Sequence, residues 1–176
     1  MKLEKGRPQD CEGREAKEIA VYDLLDSLRI PYDRVDHEAA FTMEQCEAVD
    51  QILGITMCKN LFLCNQQKTV FYLFLIRADK KFETKKFSAA LEISRVSFAE
   101  DEFLLKYLNI TPGSVSVLGL MNDTENAVHL VIDRDVLNEE FIGCHPCVNT
   151  SSLKLRTEDL MTFLRHVDHS FLTIDF

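Results

Sequence analysis

The sequence predicts a single α+β domain: a mixed, mostly antiparallel, curved sheet flanked by helices. Three observations point there. Short apolar runs of strand length alternate with segments of helical period, but without the regular βαβ rhythm of a parallel sheet. No internal repeat and no linker-like stretch divides the chain. At 176 residues, with 46% apolar and 28% charged side chains, the chain is long enough to bury one full core and ordinary in composition.

Residues 1–15 are polar and carry Gly6, Pro8 and Gly13, so they read as a mobile tail before a domain over 16–176. From Lys17 to Leu28, apolar Ile19, Ala20, Leu24, Leu25 and Leu28 suit an amphipathic helix. Ile30-Pro31 ends it, because proline disfavours helix in the residue before it. Tyr32–Asp36 is a short strand. Thr42 with Gln45 reads as a capping box opening a helix from Met43 to about Leu53. Lys59–Cys64 and Thr69–Ile76 flank Asn65-Gln66-Gln67-Lys68 as a hairpin. Residues 77–91 read as a basic helix, Val96–Phe98 as a strand and Glu100–Leu108 as a helix. Pro112-Gly113 marks a turn. Ser114–Leu120 and Ala127–Ile132 form a second expected hairpin. Strand signals recur at 147–149 and 153–156, Thr157 caps a last helix to about His166, and Phe171–Ile174 suits an edge strand.

No apolar run approaches the roughly 20 residues of a membrane span. The first ten residues lack the apolar core of a signal peptide. The expected setting is therefore cytoplasmic, without a membrane partner. There the six scattered cysteines (11, 46, 58, 64, 144 and 147) are expected to be thiols rather than disulfides. A net charge of −9 argues against broad electrostatic binding to nucleic acid and leaves room only for a local basic patch.

Three places carry chemistry. Lys59 stands in Ile55-Thr56-Met57-Cys58-Lys59-Asn60-Leu61-Phe62-Leu63-Cys64, a run apolar enough to be covered on both faces. Its amine either snorkels to an edge or is held in a cleft for use. Strand alternation sets Lys59 with Leu61 and Leu63, and Asn60 with Phe62 and Cys64 on the opposite face. For both to reach one site, a bulge or strong twist is needed.

The second place is Gly143-Cys144-His145-Pro146-Cys147-Val148-Asn149. Glycine and proline impose a sharp turn, whose backbone N–H groups can converge on an oxyanion. Its C-x-x-C lacks the second cysteine pair of a zinc site. It is also followed by a strand signal where a redox motif opens a helix. A tight loop with buried thiols is the plainer account. The third place is Arg77-Ala78-Asp79-Lys80-Lys81-Phe82-Glu83-Thr84-Lys85-Lys86, with five basic residues in ten positions. It is either a solvated helix face or a phosphate-binding surface. Of the remaining histidines, only His166 and His169 are closely spaced, at the end of the last expected helix. No P-loop, Rossmann fingerprint or G-x-S-x-G is present.

Taken in order, Ala39-Ala40-Phe41-Thr42-Met43, Cys58-Lys59-Asn60-Leu61-Phe62-Leu63, Thr111-Pro112-Gly113-Ser114-Val115-Ser116 and Gly143-Cys144-His145-Pro146-Cys147-Val148-Asn149 resemble the YbaK/prolyl-tRNA-synthetase-associated domain family. These are deacylases that edit mischarged tRNA. The resemblance spans about residues 17–170 and is strongest to the free-standing alanyl-tRNA(Pro) deacylases of the PrdX or ProXp-ala type. Lys59-Asn60 and Gly143-Cys144-His145-Pro146 match that group, whereas relatives editing cysteine carry Lys-Thr and a Gly-x-Ser-Pro turn.

The resemblance implies catalytic or recognition roles for Lys59, Asn60, Gly143 and His145. Phe41, Pro146 and Asn149 are then expected at the substrate, and Lys80, Lys81, Lys85 and Lys86 near acceptor-stem phosphates. It further implies a tRNA(Pro) acceptor end carrying alanine as substrate, prolyl-tRNA synthetase as a transient partner, and no metal or other cofactor. An aminoacyl ester is already activated, so positioning and oxyanion stabilisation would suffice. A non-catalytic module sensing tRNA or an amino acid is the other function expected of this fold.

Overall fold

The computed structural model describes residues 1–39 and 43–176, and the side chains of all of these but 43–45. In chain order the elements are β1 (Leu3–Lys5), α1 (Ala16–Ser27), β2 (Asp33–Asp36), α2 (Met43–Leu53), β3 (Lys59–Asn65), β4 (Phe71–Ile76), α3 (Thr84–Ala90), β5 (Val96–Phe98) and α4 (Asp101–Leu108). A 3-10 segment (Val117–Asn122) follows, then β6 (Val128–Asp133), α5 (Arg134–Leu137), β7 (Phe141–Cys144), β8 (Ser151–Arg156), α6 (Thr157–His166) and β9 (Phe171–Ile174).

The expected mixture of pairings is present, but the strands divide between two sheets. One has the order β1-β2-β8-β7 and is antiparallel throughout. The other has the order β5-β3-β4-β6-β9, antiparallel from β5 to β4 and parallel from β4 to β9. The hairpin of β3 and β4 lies as expected, with Lys59 opposite Ile76 and Cys64 opposite Phe71. Its turn is held by Asn65, whose Oδ1 accepts from the backbone N–H of Thr69 and Val70 at 2.9 and 3.1 Å. Asparagine favours such turns because its short side chain mimics the backbone.

The second expected hairpin is absent. Residues 117–122 coil into a 3-10 helix with Val117, Leu118 and Leu120 buried. Ser116 Oγ accepts the N–H of Leu118 at its start. The buried Asp123 carboxylate accepts from Ala127 and Val128 N–H at 2.9 and 2.8 Å and so launches β6. That strand then pairs in parallel with β4. A parallel pair needs a long crossover, which residues 77–127 supply.

Other boundaries shift for local reasons. Helix α1 buries Glu18, Val21, Tyr22 and Leu25, a stripe at helical spacing. It is closed by Arg29 at φ 56°, with Ile30 N–H reaching back to the Leu25 carbonyl, a Schellman closure with arginine in the place of glycine. Residues 3–5, expected in the tail, pair with β2. Arg34, 2% exposed, fastens them by donating to the Glu4 and Asp36 carboxylates and to the Gly6 carbonyl. Residues 77–83 are not helical and turn at 78–80, and the basic helix begins only at Thr84. The 147–149 stretch is part of a turn and not a strand. Thr157 donates its hydroxyl to the Glu139 carbonyl at 2.6 Å, so it ties α6 to the 139–140 segment instead of capping its own helix.

The main core lies between the sheets. Phe62, Leu73, Leu75, Leu130 and Ile132 of the larger sheet meet Val21 and Leu25 of α1, Leu104 and Leu108 of α4, Phe163 of α6, and Ile142 and Leu153 of the smaller sheet. The larger sheet's other face, Leu63, Phe74, Ile76 and Val131, is covered by Phe87 of α3 with Phe82 and Phe176 beside it. Both faces are therefore dry, as the unbroken apolar sequence of β3 and β4 requires. Val49 and Leu53 of α2 pack with Val35 of β2 in a third, small cluster.

Candidate functional site

Lys59 opens β3, and the ladder through Asn60 is regular, with Asn60 opposite Leu75. No bulge turns the two side chains to one side. The exposed Lys59 amine donates to the backbone carbonyl of Lys80 at 2.8 Å, on the face covered by Phe82 and α3. Asn60 points to the inter-sheet side. Its Oδ1 accepts the N–H of Val117 at 2.9 Å, and its Nδ2 donates to the Cys58 carbonyl at 3.3 Å.

Gly143 joins this strand start to the 143–147 turn. A Cβ there would collide with the Met57 sulfur, lie 2.7 Å from Ile55 Cδ1 and 3.3 Å from Met57 Cα. The absent side chain lets residues 55–58 lie directly on the end of β7. Cys58 Sγ donates to the Gly143 carbonyl at 3.4 Å across the same seam.

His145 is held from two directions. Ser116 Oγ donates to its carbonyl at 2.6 Å. Its Nδ1 lies 2.8 Å from the Ser151 carbonyl; since a carbonyl only accepts, Nδ1 carries the proton and Nε2 is the acceptor of the neutral ring. The His37 ring stands edge-on, 6.3 Å away. Its Nδ1 faces the Glu38 carbonyl at 3.2 Å and its Nε2 the Ser152 hydroxyl at 2.9 Å. Asn60 and His145 thus meet through the Ser116–Val117 segment, whereas Lys59 stands on the other side of β3.

Burial lowers the pKa of His145, helped by the neighbouring His37 and opposed by the hydrogen bond to Ser151. Burial lowers that of His37 as well. The unfolded chain takes up these protons near the ordinary value of 6.5, and the folded chain only at lower pH. The stability they supply is complete above that value and is lost as pH falls through the folded pKa values. Denaturation midpoints should accordingly be lower at about pH 5.5 than at about pH 7.5. The difference should shrink in His145→Gln; equal midpoints in the native sequence would refute the neutral pair. Asp36 acts in a separate, more acid window. Burial tends to raise it, but hydrogen bonds from Arg14 and Arg34 win and bring it down to about 2.

Beside Gly143 opens a cleft of about 680 Å³. Its walls come from the 47–58 region with Asp50 and Cys58, from Arg77 and Ala78, and from 136–143 with Glu139, Glu140 and Gly143. Lys59 follows the wall residue Cys58, and its amine bonds to the loop that begins with Arg77 and Ala78.

The thiols at this seam are unsuited to attack. Burial drives Cys58 and Cys147 up to about 12 and Cys144 well above its ordinary value, so all three are protonated at neutral pH. Among the described residues no three His, Cys, Asp or Glu side chains are grouped to hold a metal ion. No helix among them is long and apolar enough to cross a membrane.

The remaining expected residues are dispersed. Pro146 is buried in the turn, and Asn149 Nδ2 lies 3.4 Å from the Ala39 carbonyl. Phe41 and the Thr42 cap lie outside the described residues. Lys80 is tied to Asp133 and Asp135, at 2.7 Å from each. Lys86 lies 4.4 Å from the centre of the Phe176 ring, while Lys81 and Lys85 are exposed. His37, Ser151 and Asp133 are not singled out in the sequence, and Ser116 stands there only as the last residue of the Thr111–Ser116 motif. Asp133 is marked in the sequence as the acid that ends the mostly apolar Val128–Ile132.

A family model for the aminoacyl-tRNA editing domain matches residues 37–163. The chain belongs to the aminoacyl-tRNA editing domain family. The prolyl-tRNA editing protein ProX of Acetoanaerobium sticklandii is 31% identical over 156 residues, covering 89% of this chain and 95% of its own. The prolyl-tRNA synthetase associated domain-containing protein 1 of Danio rerio is 30% identical, covering 88% of this chain and 84% of its own. A solved structure described as a candidate trans-editing enzyme for prolyl tRNA synthetase superposes with a TM-score of 0.68 at 14% identity, over 92% of this chain and 98% of that one. This editing domain therefore shares both sequence and fold with proteins described as prolyl-tRNA editors.

Proposed function

We propose that this editing domain hydrolyses the ester of Ala-tRNA(Pro) in trans, releasing alanine and tRNA(Pro), in the cytoplasm and with prolyl-tRNA synthetase as a transient partner. The observation that carries the reading is the seam at Gly143. It brings the 55–58 segment, which leads into Lys59-Asn60, against the end of β7, which leads into the His145 turn, and Cys58 and Gly143 both line one cleft.

In this reading the exposed Lys59 amine holds the terminal phosphate or the ester carbonyl. The 143–147 backbone stabilises the oxyanion, and the neighbouring ribose hydroxyl helps to place water. His145, neutral and fixed through Nδ1, stands in the turn that meets the acceptor end. Asn60 keeps the 116–117 segment against the turn. The carboxylates of Asp50, Glu139 and Glu140 suit the α-ammonium of an aminoacyl group, and the phosphates would lie outside the cleft beside Lys81, Lys85 and Lys86. Discrimination of alanine from proline would be a steric filter, complementary to a synthetase that cannot reject the smaller residue.

The test is a deacylation panel of Ala-, Ser-, Cys- and Pro-tRNA(Pro). Ala-tRNA(Pro) should be consumed and Pro-tRNA(Pro) should survive, with the same rates in the presence of a chelator. If Ala-tRNA(Pro) lasts as long with the protein as in buffer, the activity is lost as a reading and the non-catalytic module takes its place.

A further inference from the structure

We infer that Lys80 is a positioning residue for Lys59, with Asp133 as the anchor of the device. The inference rests on the reading of Lys59 as the group that touches substrate. Lys59 is exposed, and its amine is steered by the Lys80 carbonyl at 2.8 Å. A free lysine of this kind samples many rotamers, so one carbonyl orients it only if the carbonyl itself is fixed.

The Lys80 side chain does the fixing. Its amine lies 2.7 Å from Asp133 Oδ2, 2.7 Å from Asp135 Oδ2 and 2.9 Å from the Phe176 carbonyl. An ammonium has three N–H donors, and here each has an acceptor. Asp133 is fully buried at the end of β6, inside the larger sheet. Such a carboxylate is tolerated only with a partner, so it grips Lys80 firmly. The constraint runs from β6 through Asp133 to the Lys80 side chain, then through the Lys80 backbone to the Lys59 amine. The carbonyl takes one of the three Lys59 N–H groups and leaves two for substrate.

Two roles for Lys80 predict opposite results. Single-turnover hydrolysis of Ala-tRNA(Pro) is measured against protein concentration for Lys80→Met, Lys80→Arg, Asp133→Asn and Asp135→Asn, with Lys59→Ala alongside. Positioning predicts that Lys80→Met and Asp133→Asn lower the saturating rate about tenfold and leave the half-saturating concentration within about twofold. Lys80→Arg should recover most of the rate. Asp135, half exposed, can be changed without opening the core, and Asp135→Asn should still lower the saturating rate about threefold. A phosphate contact predicts instead a salt-dependent rise in half-saturation for Lys80→Met, and tighter binding for Asp133→Asn, which frees the amine. That pattern overturns the inference, as does a full rate in Asp135→Asn. If Lys59→Ala itself retains the full rate, the reading of Lys59 fails, and the other variants are not needed to show it.

Discussion

Replacing Lys59 with alanine should reduce hydrolysis of Ala-tRNA(Pro) by at least about a hundredfold while leaving the thermal midpoint almost unchanged. The asymmetry follows from where the residue sits. Its side chain is exposed and makes its hydrogen bond to a loop carbonyl, so its removal disturbs no packing and should change stability by no more than about 0.5 kcal/mol. The lost interaction is a charge-assisted one on the reacting ester or its phosphate. Deleting a single such donor typically lowers the chemical rate by about 100- to 1000-fold. Lys59→Arg keeps the charge but exchanges a compact ammonium for a wide planar fork, and should restore little of the rate. Rate and melting temperature measured on the same preparations decide the matter. Substantial activity in a folded Lys59→Ala protein would remove this residue from the site.

Gly143→Ala should lose both stability and activity. The added methyl meets Met57 and Ile55 side-chain ends and comes within 3.3 Å of the Met57 backbone. Overpacking of this kind costs about 1–3 kcal/mol, or roughly 2–12 °C in melting temperature for a chain of this size. Because Gly143 is not among the glycines with positive φ, the cost comes from the approach of the 55–58 segment and not from backbone conformation. Part of it should be recovered in Gly143→Ala with Met57→Ala, which clears the flexible end of the collision. Activity should fall further than stability explains, since the alanine pushes the Lys59 strand start away from the His145 turn. An unchanged melting temperature for Gly143→Ala would mean that the seam is not closed.

Elements governed by local chemistry were readable in the sequence. The 59–76 hairpin announces itself by two apolar runs around Asn65, and the stop near Ile30-Pro31 by proline sterics. The α4 helix is marked by its apolar spacing. What escaped was decided by distant groups. The run from Ser114 to Leu120 has strand-like residues, yet Ser116 and Asp123 cap it into a 3-10 turn and hand the neighbouring strand to β4. Thr157 looks like a cap until Glu139 is placed beside it. The site divides the same way. Lys59, Asn60 and the 143–147 turn were visible as residues out of keeping with their surroundings, and strand alternation foretold that the first two diverge. Lys80 could not be read from a charge run, because its partner Asp133 lies about fifty positions away in another strand. The alternation puzzle resolves into a division of labour: Lys59 bonds to the 77–80 loop, and Asn60 braces the turn that holds His145.

The smaller sheet also constrains the order in which the molecule can assemble. β3, β4 and β5 are close in sequence and can pair early, at little cost in loop closure. β2 must instead wait for β8, with Asp33 beside Lys154 and Asp36 beside Ser151. Those contacts span most of the chain, and the Ser151 carbonyl that fixes His145 arrives with them. During synthesis the larger sheet can begin to form while its first strands are already free of the ribosome, but the His145 turn gains the Ser151 carbonyl and the β7–β8 pairing only once β8 has emerged. The candidate site is therefore a late product of folding. A truncated or stalled chain would be compact in part and inert, and recovery of activity on refolding should lag behind recovery of sheet structure.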